Sequence, residues 1–138
     1  KKLPGGVATL MVLWQCWQNQ QWGESLSDQT IVAAGVDPEH WKKLRSLLLT
    51  HRILEKTASG QTVLIRDLSS LTLNDVGEWL GEDVLSQPDI DVNQLLRTNP
   101  WYSKYDKIAG RSRDVLRTNF AVTIAELFAT GKAHKTIQ

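Results

Sequence analysis

The run Gly35-Val36-Asp37-Pro38-Glu39 limits how this chain can fold more than any other part of it. A glycine ends one helix in the left-handed region, an aspartate caps the next, and a proline at the first helical position presets its backbone. Two helices must therefore meet across a tight turn. The first is short, from a Ser27 cap through Asp28 to Ala34; the second runs from Pro38 to Arg52 and turns Trp41, Leu44, Leu47 and Leu48 to one face. Upstream, Val7, Leu10, Trp14 and Trp17 recur at spacings of three and four, which predicts an amphipathic helix from Val7 to about Gln21, closed by Gly23. Downstream the period changes to alternation. Ile53 to Thr57 and Gln61 to Arg66 read as two strands joined by Ala58-Ser59-Gly60.

Helix, short helix, tight turn, longer helix and hairpin is the order of a winged helix-turn-helix. The expected fold class is thus α+β and mostly helical, with a winged helix over residues 1–68 and a C-terminal helical extension over 69–138 packing on it. In the extension, Thr72-Leu73-Asn74-Asp75 reads as a capped helix start running to about Leu80. Gly81 to Ile90 reads as loop, and Asn99-Pro100 as the opening of a helical region toward Gly131.

Composition narrows the chemistry. Sixteen Lys+Arg against fifteen Asp+Glu give a net charge of +1, so a nucleic-acid or membrane-surface partner must be sought in local patches. Regional sums are +2 over residues 1–52, zero over 53–67, −5 over 68–100 and +4 over 101–138. The single cysteine, Cys16, excludes an intramolecular disulfide and a paired-cysteine zinc site, and fits a reducing compartment. His40, His51 and His134 have no ligand-like spacing, so neither a metal nor a cofactor is expected. The longest apolar stretch, Val7 to Trp14, is far short of the ~20 residues a membrane span needs. The chain opens Lys1-Lys2-Leu3-Pro4 without an initiator methionine, and we expect it to be a piece of a longer protein.

In the nucleic-acid-binding use of a winged helix, the second helix of the turn enters the major groove. That helix would present His40, Lys42, Lys43, Arg45, His51 and Arg52, with Lys56 and Arg66 on the wing. The same side chains suit a soluble protein-docking face, and the hairpin tip, Ala58-Ser59-Gly60-Gln61, carries no cation to reach a groove. Lys104, Lys107, Arg111, Arg113 and Arg117 form a second basic surface, suited to anionic lipid headgroups or RNA. The apolar Phe120, Val122, Ile124, Leu127 and Phe128 follow it and would dock on the rest of the fold. Asp89 and Asp91, and Glu82-Asp83, read as solvated loop carboxylates. Cys16 has no neighbouring base and reads as buried packing. No catalytic residue is expected. Of six tryptophans, Trp14, Trp17 and Trp41 fall on expected buried faces, while Trp22 and Trp101 lie at element ends, where an interface would use them.

The series Gly6 to Leu10, the short helix after Leu26-Ser27, the helix through Leu44 and Leu48, and Gly60 to Leu68 followed by Thr72-Leu73-Asn74-Asp75 together resemble one known tail. It is the cytoplasmic C-terminal tail of YihY/BrkB-type bacterial inner-membrane proteins, often labelled ribonuclease BN. Arg66-Asp67-Leu68 with Thr-Leu-x-Asp is the most distinctive part, and the resemblance fades beyond Leu80. It implies a domain on the cytoplasmic face of the inner membrane, with Lys1 and Lys2 following the positive-inside rule. Its partners would be its own membrane domain or another protein. The ribonuclease label finds no histidine and carboxylate set here to carry hydrolysis. Two uses stand as alternatives: a non-catalytic regulatory or interaction domain, and a nucleic-acid-binding module for DNA or tRNA.

Overall fold

A computed structural model describes residues 3–81, 88, 91–121 and 123–129. The expected carboxylates Glu82, Asp83 and Asp89, together with Val122, lie outside the described residues, as do the side chains of Ile124 and Leu127. Helices dominate: α1 (Gly5–Gln21), α2 (Asp28–Ala33), α3 (Pro38–Thr50), then strands β1 (Leu54–Lys56) and β2 (Thr62–Leu64), then α4 (Leu73–Leu80), α5 (Val92–Thr98), α6 (Tyr102–Asn119) and α7 (Ile124–Ala129).

Helix α1 is central. Its first three turns are buried nearly all round, with Val7, Ala8, Thr9, Met11, Val12 and Leu13 inside, whereas Gln18, Gln20 and Gln21 reach solvent. It packs on β2 and α4. Past Cys16 the helix leaves the core, so Trp17, expected inside, is 40% exposed.

The turn between α2 and α3 forms as its residues require. The Ser27 side chain accepts from the Thr30 amide at 3.3 Å, Gly35 takes φ +111°, and Asp37 accepts from the amides of Glu39 and His40 at 3.1 and 3.2 Å. Helix α3 ends at Thr50, two residues before the expected end. Arg52, not a glycine, makes the left-handed exit at φ +57°. Trp41, Leu44 and Leu48 are buried, while Leu47 is only half-buried, at the margin of the apolar face.

The hairpin is shorter than its alternation suggests. Leu54, Glu55 and Lys56 pair antiparallel with Leu64, Val63 and Thr62. A third segment joins it: Leu26, between α1 and α2, bridges Thr62 through amide-to-carbonyl bonds of 2.7 and 2.9 Å. Ser25 also hydrogen-bonds Gln61.

Beyond β2 the chain is governed by caps. Asp67 accepts from the Ser69 amide at 2.9 Å and opens a single 3-10 turn over Leu68–Ser70. Thr72 and Asp75 satisfy each other's amides at 3.2 and 2.9 Å, a reciprocal cap on α4. The helical region expected from Asn99 is divided differently. Asp91 caps α5, Asn99 terminates it, and α6 begins after Trp101. A break at Phe120 and Ala121 separates α6 from α7, whose start is capped by Thr123, which accepts from the Glu126 amide at 3.0 Å. Leu95, Tyr102, Tyr105 and Ala109 share one apolar core with α1, α3 and the hairpin.

Candidate functional site

Three surfaces compete for a functional role: the outer side of α3 with the hairpin, the basic side of α6, and a cleft that the sequence did not suggest.

On α3, Lys42 and Lys43 are exposed and border a shallow depression with Ser46, Leu47 and Thr50. Arg52, Lys56 and Arg66 are also exposed, and none of the five pairs with a carboxylate among the described residues. Arg45 departs from expectation. Its guanidinium Nη1 donates to both Asp28 carboxylate oxygens at 3.1 and 3.2 Å, and the Trp41 indole Nε1 donates to the same Oδ1 at 2.7 Å. The guanidinium carbon lies 5.9 Å from the Trp41 ring centroid, and the side chain is 22% exposed. Arg45 therefore fastens α2 to α3. His40, expected on the exposed side, is half-buried. His51 caps the end of α3 and stacks on Trp79 of α4, with centroids 5.1 Å apart.

The basic surface of α6 splits in two. Arg113 Nη2 reaches toward Asp106 at 3.9 Å and Arg117 pairs with Asp114 at 3.5 Å. Lys104, Lys107 and Arg111 are exposed and make no ion pair with any described residue.

The cleft, about 380 Å³, opens between α1, the segment before α4, α4 and α6. Leu10, Leu13 and Trp14 form one wall, Leu68, Leu71 and Val76 the second, and Trp101, Tyr105 and Ile108 the third, with Lys104 as its one charged group. Trp14 stacks on Trp17 with centroids 5.4 Å apart. No sequence pattern could show this concavity, because its walls come from residues more than ninety positions apart. The clustered leucines at 68, 71 and 73 were its only local sign.

Other candidates fall to structural roles. Asp91 is a helix cap. Burial pushes the Cys16 thiol up to about 12, leaving it protonated and inert at neutral pH. Trp101 is half-buried, edge-on to Tyr102 and Tyr105, whereas Trp22 is 81% exposed. Burial also raises both tyrosine pKa values, chiefly by desolvation. Among the described residues no His, Cys, Asp and Glu group could hold a metal ion, and no helix is long and apolar enough to cross a membrane.

No family model matches the chain. No solved structure matches it. Curated relatives do match it. A UPF0761 membrane protein of Teredinibacter turnerae is 31% identical over 112 residues, 78% of this chain and 25% of that protein. Another, of Saccharophagus degradans, is 27% identical over 132 residues, 96% of this chain and 30% of that protein. A third, of Legionella pneumophila, is 27% identical over 130 residues, 93% of this chain and 31% of that protein. The chain thus spans about a quarter to a third of the length of relatives that are UPF0761 membrane proteins.

Proposed function

We propose that this chain is the cytoplasmic, C-terminal domain of a YihY/BrkB-type membrane protein. It is a winged helix over residues 1–68 with a helical extension over 69–138, and it works by docking, not by catalysis. The element order supports the winged-helix reading, as does the Leu26–Thr62 bridge, which supplies the third strand position such a fold uses. The relatives are membrane proteins, which supports the attachment to a membrane protein.

One observation carries the docking reading: the leucine- and tryptophan-walled cleft between α1, α4 and α6 remains open among the described residues. Such a concavity suits an apolar partner group. The competing nucleic-acid reading loses Arg45, the cation nearest the middle of the expected reading helix, to Asp28. Within the run that carries the resemblance, Arg66-Asp67-Leu68 with Thr72-Leu73-Asn74-Asp75, the side chains of Asp67, Thr72 and Asp75 make helix caps.

Fluorescence anisotropy with labelled duplex DNA and tRNA at physiological salt tests this reading. The expected result is no saturable binding. Saturable binding abolished by Lys42→Glu with Lys43→Glu would replace docking with nucleic-acid recognition.

A further inference from the structure

Helix α6 carries two parallel rows of side chains. Lys104, Lys107 and Arg111 follow at spacings of three and four and so share one side of the helix. At about 100° per residue, Ile108 and Val115 fall between that row and the buried side bearing Tyr102, Tyr105 and Ala109. The order around the helix is therefore cationic, exposed apolar, buried apolar. Ile108 is 38% exposed and Val115 57% exposed.

A second element extends this face. Lys104 and Ile108 line the cleft, and Trp14 lines its opposite wall. Trp17 stacks on Trp14 and is 40% exposed. Lysines with apolar stems along the margin of an apolar sector, beside partly exposed tryptophans, match the chemistry of a bilayer interface. There the cations meet headgroup phosphates, the stems and aliphatic side chains enter the acyl boundary, and indole rings sit at headgroup level.

We propose that the face made by Lys104, Lys107, Arg111, Ile108, Trp14 and Trp17 docks on an anionic phospholipid surface, with α6 lying along the plane of the leaflet. This inference rests on the docking reading and names its partner. An anionic bilayer fits better than an acidic protein because the three cations form a line along the helix edge and do not ring a pocket, as the spacing shows. Residues 101–138 sum to +4, so long-range attraction has the same sign as the local contacts. The relatives, moreover, are membrane proteins.

Co-sedimentation of the 138-residue chain with phosphatidylcholine vesicles, with and without phosphatidylglycerol, tests the assignment. Binding is expected only with phosphatidylglycerol and should weaken as salt rises. Lys104→Gln with Lys107→Gln and Arg111→Gln should lower the partition coefficient about 100-fold, at roughly fivefold per cation. Lys42→Gln with Lys43→Gln should leave it unchanged. All five side chains are exposed, so these variants should retain the parent's near-ultraviolet circular dichroism. Absence of binding, equal binding to both vesicle types, or equal loss in the two variants would overturn the lipid assignment. A duplex DNA arm in the same buffer separates the two failures: DNA binding abolished by Lys42→Glu and Lys43→Glu overturns the docking reading as a whole, and lost vesicle binding without it overturns only the lipid partner.

Discussion

Helices α3 and α6 both looked like basic binding elements, but their cations are spent differently. On α3 the arginine nearest the middle of the face is drawn inward by Asp28, seventeen residues upstream, and lies against Trp41. What remains outside is a lysine pair around a shallow depression with Ser46, Leu47 and Thr50. On α6 the two arginines Arg113 and Arg117 turn to carboxylates of their own helix, and the Arg117 pair is exposed enough to be worth little. Of the three cations left over, Lys104 borders the open cleft beside Ile108, and Lys107 and Arg111 continue its row along the helix. Charge count alone therefore does not define a binding surface. The carboxylates within reach decide which cations remain available, and the apolar neighbours decide which partner they suit.

The largest expected effect breaks the comparison at the seat of α6. Tyr102 is 1% exposed, with the rings of Trp101 and Tyr105 each about 6.0 Å away. Tyr102→Ala should cost about 3 to 5 kcal/mol in urea unfolding. A loss under about 1 kcal/mol would mean that α6 is not anchored in the core. The next effect tests α3. Asp28→Ala leaves the Trp41 indole without its acceptor and releases Arg45. Since Asp28 is itself about half-exposed, the expected loss is about 1 to 2 kcal/mol. Unchanged stability would deny the pin. The smallest effect lies at Asp67, where hydrogen bonds from the Ser69 amide and side chain lower the carboxyl pKa from 3.8. Lowered in the folded state, it contributes stability that is present above 3.8 and is lost as pH falls through the folded value. The melting-temperature advantage of the parent over Asp67→Asn should therefore shrink on acidification, and an advantage that grew instead would refute the cap.

Local signals carried much of the secondary structure. Ser27, Asp37-Pro38 and Thr72 mark helix starts because each cap is made within three residues of its partner amide. Signals that depend on distance or on unfavoured residues were not legible. Arg52 takes a left-handed backbone that residue type assigns to glycine, so the sequence pattern runs past the true end of α3 at Thr50. Helix α5 hides behind an acidic stretch that reads as loop, although Asp91 two residues before Asn93 was a usable cap signal. The break at Phe120 and Ala121 contains neither glycine nor proline, and the Thr123 and Glu126 pair was its only mark. Tertiary partners were the least visible. Asp28 with Arg45, Trp79 with His51 and the walls of the cleft are side chains that only the folded chain brings together.

The bridge between Leu26 and Thr62 also bears on self-association. A two-stranded hairpin ordinarily offers two open edges to any neighbouring chain able to extend it. Here Leu26 occupies part of the outer edge of β2, and the buried Thr62 hydroxyl donates to the Leu26 carbonyl at 3.3 Å. On the other side, β1 is three residues long and presents exposed Glu55 and Lys56. A short, charged strand on one side and a capped one on the other make poor templates for strand addition. At high local concentration, copies of this domain are thus protected from joining edge to edge through the sheet.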